Sequence, residues 1–261
     1  MNLIEAIFLG LVQGLTEFLP VSSSGHLVIA QTLMDVPTPG VFVEVALHLA
    51  TLLSVLIVYH KRVADLGIGA VRGEREAWRY IGLLLLASVP AGIVGVFFKD
   101  AIEAVFDMPW VTGVMLIVTG FVLWSTKRVG QRRWKEEPDI GSATAMGLAQ
   151  AFAILPGISR SGSTITAGLW GSLDGDRAAE FSFLMSVIAI AGAVVLQIGD
   201  IGSSVQQVGA GALLGGFIAA LVSGVFAIRF LVWLLQRRAF HAFAYYVWIA
   251  GGLFLLYLGV K

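Results

Sequence analysis

This sequence predicts an all-α polytopic membrane protein with six transmembrane helices and two re-entrant helical hairpins arranged as an inverted-topology repeat. Three observations predict it: an apolar composition, six runs of membrane-spanning length, and two apolar regions broken by similar polar stretches. Of 261 residues, 57% are hydrophobic and only 13% charged, and the mean hydropathy is +0.87. Soluble domains carry about 25% charged residues, so lipid is the solvent that accounts for the deficit. The formal net charge of zero lacks the basic face that a nucleic-acid partner calls for. With no cysteine, disulfides and thiolate metal sites are excluded. The N-terminus, "MNLIEAIFLG", has no Lys or Arg before its apolar run and carries Glu5, so the first hydrophobic segment is expected to be retained.

The spans follow from length. A hydrocarbon core of about 30 Å needs about 20 helical residues, and the runs 41–60, 79–98, 110–126, 180–199, 208–234 and 242–260 meet that need. Two further apolar regions do not read as single crossings. Residues 3–34 are broken by "LPVSSSGH" (Leu19 to His26), and residues 142–173 by "LPGISRSG" (Leu155 to Gly162). Proline ends the first arm because it lacks an amide donor and clashes with the preceding turn. Serine, threonine and glycine then suit the N-cap of the second arm. Helix, break, helix describes a re-entrant hairpin, and such a break is tolerated only inside protein or against a watery cavity.

Lys and Arg orient the loops. Loop 60–79 carries Lys61, Arg62, Arg72, Arg75 and Arg79, and loop 127–141 carries Lys127, Arg128, Arg132, Arg133 and Lys135. Arg237 and Arg238 mark a third basic loop, whereas loop 99–109 is acidic on balance and loop 200–207 has no base. The positive-inside tendency places the basic loops in the cytoplasm and both termini outside. The first hairpin then enters from outside and the second from inside.

The chain reads as one integral membrane domain, 1–261, of two halves, 1–134 and 135–261. At a shift of 137, Gly10, Gln13, Ser22, Ser24 and Gly25 fall on Gly147, Gln150, Ser159, Ser161 and Gly162. Glu44 and Glu180 pair at a shift of 136. Each half is a hairpin plus three spans, and an odd number of crossings turns the second half upside down. The two hairpin tips are then expected to meet near the midplane.

Ionisable residues at membrane depth cost about 2.5–3.5 kcal/mol each on insertion scales, so each calls for a reason. The first tip offers Glu17, Ser22, Ser23, Ser24 and His26; the second offers Ser159, Arg160, Ser161, Ser163 and Thr164. Gln13 and Glu17, four apart, share a helix face. Two helix N-termini with an arginine fork between them make a phosphate site. Plainer readings stand beside this one. Ser24, Gly25 and Gly162 suit close helix packing. Arg160 also reads as a structural bridge to Glu17, and His26 as a satisfied interior histidine. Glu44, His48 and Glu180 are open between supporting the site, ending helices and lining the cavity. Arg229 is expected to snorkel to the cytoplasmic face.

The same residues resemble the bacitracin-resistance family, the undecaprenyl-diphosphate phosphatases of bacterial cell-wall synthesis. Its (E/Q)xxxE motif is matched by "QGLTE" (Gln13 to Glu17), its VSSxGH by "VSSSGH" (Val21 to His26), and its PGxSRSxxT by "PGISRSGST" (Pro156 to Thr164). The resemblance covers nearly the whole chain. It implies hydrolysis of a polyprenyl diphosphate to the monophosphate and inorganic phosphate, at the outer face of the cytoplasmic membrane. That activity would recycle the lipid carrier and confer bacitracin resistance. It also implies a divalent cation, Mg²⁺ or Ca²⁺. On this reading Glu17, Ser23, His26 and Arg160 are catalytic: Ser23 as nucleophile or orienting hydroxyl, and His26 as base or nucleophile. Glu17 holds the metal or tunes His26. Ser22, Ser159, Ser161, Thr164 and Arg160 clamp the phosphates. Gln13 stands where the family also allows glutamate, so a metal role falls on Glu17, with Gln13 as the second candidate. The partners implied are the polyprenyl lipid and the bilayer, with a second copy of the chain as a further candidate. The rival reading is a transporter of the lipid phosphate through the same midplane groove.

Overall fold

The small-residue stripe of the first segment decides how it packs. Ala6, Gly10 and Gly14 recur every four residues on one face of α1 (Leu3–Phe18), and that face is buried. They meet a matching stripe on α11 (Ala210–Gln236): a Cβ on Gly10 would meet the backbone of Gly216, and one on Gly14 the backbone of Ala220 and Gly224. Lipid offers helices no hydrophobic drive to associate, so close backbone approach supplies van der Waals contact instead. Asn2 and Glu5 form a capping box at the head of α1.

The protein is described here by a computed structural model covering residues 1–34, 41–129, 134–197 and 209–260. These residues are helical, with one isolated β-bridge between Lys135 and Leu173. In order they form α1, α2 (Ser23–Met34), α3 (Val41–Val58), α4 (His60–Val71), α5 (Arg75–Phe97) and α6 (Lys99–Phe106). There follow α7 (Pro109–Ser125), α8 (Ile140–Phe152), α9 (Arg160–Trp170), α10 (Gly175–Gln197), α11 and α12 (Phe243–Val260).

Five helical stretches are long and apolar enough to cross a membrane: Arg75–Phe97, Pro109–Arg128, Gly175–Val195, Ala210–Gln236 and Phe240–Val260. The bent pair α3 and α4, which turns through 77°, makes a sixth if it counts as one span. Large apolar side chains such as Leu85, Phe97, Phe121, Phe226 and Leu256 are exposed on these helices. Such a surface suits lipid and would be an aggregation hazard in water. The chain is therefore a multi-pass membrane protein. The two short pairs α1–α2 and α8–α9 fall at the broken regions, with too few residues in each arm to cross alone.

Two segments read as loops are helices. Within 60–79, α4 is an amphipathic helix whose charged Lys61, Arg62 and Asp65 alternate with Val63, Leu66 and Ile68. Charge there sits on a helix and not on an irregular connection. Within 99–109, α6 carries Asp100 in its first turn, where a carboxylate favours the helix dipole. Arg132, Arg133 and loop 200–207 lie outside the described residues.

Packing crosses between the halves. Just as α1 lies on α11, α8 lies on α5, and there a Cβ on Gly147 would sit 2.5 Å from the Ala87 carbonyl oxygen. Helices α7 and α12 pack together, with Trp248 Nε1 donating to the Ile117 carbonyl, and much of α12 is exposed on its other side.

Candidate active site

The first tip is built around one strained serine. After α1 ends at Phe18, Pro20 blocks its continuation, and Ser22 adopts φ 70°. A residue other than glycine in that left-handed region stores strain and persists only where its surroundings hold it. The holders are local. Ser22 Oγ accepts from Gly25 N at 3.2 Å, and the Ser22 carbonyl accepts from His26 N at 3.1 Å and from His26 Nδ1 at 2.9 Å. Ser22 thus caps α2 and takes the Nδ1 edge of the His26 ring. Ser22 Oγ also lies 3.3 Å from Ser24 Oγ.

The second tip repeats this local design. Ser159 caps α9, its Oγ accepting from Gly162 N at 3.0 Å, and lies 3.3 Å from Ser161 Oγ. Gly157 supplies the left-handed turn, φ 93°, at no steric cost. A brace comes from α7: Thr119 Oγ1 donates to the Gly157 carbonyl at 2.8 Å and accepts from Ser159 N at 3.1 Å. The capping serines satisfy the Gly25 and Gly162 amides, while the other first-turn amides of both helices have no intrahelical acceptor.

The tips meet. Arg160 Nη2 donates to Glu17 Oε1 at 2.6 Å, and Ser161 Oγ to the Leu19 carbonyl at 3.1 Å. A Cβ on Gly25 would lie 3.2 Å from Gly157 Cα, which is why small residues stand at both places. Gly162 likewise sits against Ser159 and Leu123. Glu17 is the hub. Its Oε2 accepts from Ser23 Oγ at 2.8 Å and from Gln13 Nε2 at 3.2 Å, while Oε1 takes the arginine. The Glu17 and Arg160 side chains are 8% and 16% exposed, so the ion pair is largely withdrawn from solvent. The second fork nitrogen, Arg160 Nη1, is buried without a protein partner. A buried donor of this kind has an unmet acceptor requirement, which an anionic oxygen satisfies.

Glu17 also lines a cavity of ≈ 200 Å³, with Val45 and His48 of α3 and Ala189, Ile190, Ala193 and Val194 of α10. His48 is thereby placed beside the site. Glu180 is not: its carboxylate pairs with Arg62 Nε at 3.0 Å and Arg177 at 3.5 Å, and accepts from Tyr80 at 3.2 Å. That network ties α4, α5 and α10 together on the basic-loop side. The Glu44 side chain lies outside the described residues. Arg229 is exposed on α11, as a snorkelling side chain requires. Thr164 Oγ1 donates to the Arg160 carbonyl of its own helix at 2.8 Å and lies 2.6 Å from Ser182 Oγ on α10.

Sequence reading missed three partners of the site: Thr119, Ser182 and Tyr246. Tyr246 OH lies 2.7 Å from His26 Nε2. Each lies in an apolar span, Tyr246 directly after Tyr245, where a hydroxyl by itself signals no more than packing. Among the described residues no three His, Asp or Glu side chains gather as a metal cage. The Gln13 amide presents its nitrogen to Glu17, so a hard cation here would take the Glu17 carboxylate and, with the amide turned over, the Gln13 oxygen, and would keep most of its coordination for water and phosphate oxygens, as magnesium does.

The chain is similar over its length to proteins of known family. The description "Bacitracin resistance protein BacA" matches residues 6–253. An "Undecaprenyl-diphosphatase" of Alkaliphilus metalliredigens is 40% identical, covering 98% of this chain and 99% of that protein. Proteins of the same name from Methanobrevibacter smithii and Halothermothrix orenii are 42% and 38% identical. The alignments cover 96% of both chains in the first case and 100% of both in the second. With the hairpin tips, their serine caps and this full-length match together, the chain belongs to the bacitracin resistance protein BacA family.

Proposed function

We propose that the protein is an undecaprenyl-diphosphatase that hydrolyses undecaprenyl diphosphate to the monophosphate and inorganic phosphate. One observation carries this reading: a serine hydroxyl and an arginine fork share one carboxylate, and the other fork nitrogen is buried and unpartnered. Phosphoryl transfer asks a protein mainly for positioning and charge stabilisation. Arg160 Nη1 and the amides at the heads of α2 and α9 supply donors for the terminal phosphate. Ser22, Ser159 and Ser161 shape that cradle, and Thr164 braces α9 against α10.

In the first step Ser23 Oγ attacks the terminal phosphorus, and the bond to the bridging oxygen of the lipid monophosphate breaks. The Ser23 proton passes to Glu17 and on to the departing monophosphate. In the second step water attacks the phosphoserine, giving its proton to His26 Nε2. The bond between phosphorus and Ser23 Oγ breaks, and the proton returns to Ser23. Glu17 and Gln13 would hold a divalent cation, which supplies charge neutralisation for the diphosphate. The apolar walls of the ≈ 200 Å³ cavity suit the isoprenoid end of the lipid.

The architecture is read as an inverted-topology repeat. Its supports are the matching serine caps at Ser22 and Ser159, and the crossed packing of α1 on α11 and α8 on α5. Gly10 and Gly147, equivalent in the repeat, stand at those two contacts. The basic loops belong to the cytoplasm, and the site opens to the outer face of the inner membrane.

The test is inorganic phosphate released from undecaprenyl diphosphate by purified protein in detergent, with magnesium and with chelator. Phosphate and monophosphate should appear in equal amounts, and chelator should abolish both. No release with metal present overturns the phosphatase and leaves a carrier of the lipid phosphate. Detergent removes the two compartments, so transport cannot pass for hydrolysis.

A further inference from the structure

His26 is held at both ring nitrogens. Nδ1 lies 2.9 Å from the Ser22 carbonyl, which has no proton to offer, so the ring proton sits on Nδ1. In the neutral ring Nε2 then carries the lone pair, and the Tyr246 hydroxyl donates to it at 2.7 Å. The two rings also stack, with centroids 5.6 Å apart and planes 4° from parallel. Tyr246 belongs to the start of α12, so the contact joins the first hairpin to the last helix of the chain. Helix α12 already has its own anchor on α7 through Trp248, and the tyrosine hydroxyl is not needed to hold it there.

We propose that Tyr246 is a positioning residue for the phosphatase reaction, holding the His26 ring in plane with Nε2 as its basic nitrogen. This rests on the reading of His26 as the base of the water step. The ring and the hydroxyl contribute separately. Stacking sets the plane of the imidazole. The hydroxyl keeps a donor on Nε2 until a water molecule replaces it, and its oxygen accepts from Nε2–H once the ring has taken the proton. The second ring partner of a working histidine commonly sets its tautomer and aim; here the Ser22 carbonyl sets the tautomer and Tyr246 the aim. Tyr246 is 49% exposed, so losing its hydroxyl opens no buried cavity and Tyr246→Phe is expected to fold normally.

The experiment is a double-mutant cycle between Tyr246→Phe and His26→Ala, read by phosphate release and by trapped phosphoserine. Tyr246→Phe should lower kcat about five- to tenfold, the scale of one hydrogen bond, with KM within about twofold of wild type. Phosphoserine should accumulate, because only the water step slows. In the His26→Ala background the same substitution should cost nothing further. A kcat within twofold of wild type for Tyr246→Phe, with His26→Ala impaired, overturns the role of Tyr246 alone. Equal losses in both backgrounds also overturn it, since they mark a structural effect independent of His26. Wild-type turnover by His26→Ala overturns instead the reading of His26 on which the inference rests.

Discussion

Replacing Arg160 by lysine separates the two duties of its guanidinium. Nη2 pairs with Glu17 at 2.6 Å, and Nη1 is buried with no protein partner. Lysine brings one ammonium, enough to neutralise Glu17 but without a second directed donor. The fold should therefore hold. Turnover should not: loss of one preorganised donor to developing charge costs ~10²–10³, or about 2.7–4 kcal/mol. Arg160→Met is the informative contrast. It leaves Glu17, 8% exposed, without its counter-charge, and breaking such a buried pair costs about 3–5 kcal/mol of stability. The assay is phosphate release per folded molecule in detergent, with thermal unfolding measured on the same preparations. Lysine should melt near wild type and be nearly inactive, whereas methionine should melt early. Release by Arg160→Lys within about threefold of wild type would refute the reasoning and leave the arginine as a structural bridge only.

Orientation is checked with single cysteines at Ala70, Gly130 and Ser203: impermeant thiol reagents on intact cells should label Ser203→Cys and spare the other two. Packing is checked at Gly147, where an added Cβ would sit 2.9 Å from Ala87 Cα; Gly147→Ala should cost about 1–3 kcal/mol, while Gly95→Ala, with nothing near its added methyl, should be neutral in thermal unfolding. Asp139 caps α8, and hydrogen bonds from Lys135 and the Ser142 amide hold its carboxyl down at about 2, against an ordinary 3.8. A depressed pKa means the cap's contribution is complete above pH 3.8 and fades as pH falls through 2. Hydrogen exchange at the start of α8 should speed up in that window, and Asp139→Asn should remove the dependence.

Both breaks were legible in the chain because proline followed by clustered serines has no other use inside an apolar run. The convergence of Glu17, Ser23 and Arg160 was legible too, since the two polar breaks in apolar runs each need a polar partner at membrane depth, and each other's tip supplies it. Other features were not. The α4 helix was hidden because its charges, spread along 60–79, look like a loop until the apolar residues between them are set on a helical face. Glu180 pairs with Glu44 at a shift of 136 in the sequence, yet its partners Arg62, Tyr80 and Arg177 draw it away from the tips. Thr119 and Tyr246 are hydroxyls in apolar spans, and their partners lie 38 and 220 residues away. No spacing in the sequence encodes a contact of that kind; only packing of the whole bundle does.

The central claim is that Ser23, held by Glu17, takes the terminal phosphate of the lipid before water releases it. Rapid acid quenching of the protein with undecaprenyl diphosphate labelled in its terminal phosphate tests this most directly. Label should appear on Ser23 within one turnover, persist in His26→Ala, and be absent from Ser23→Ala together with phosphate release. Full phosphate release by Ser23→Ala, with no labelled protein at any time, would contradict the account.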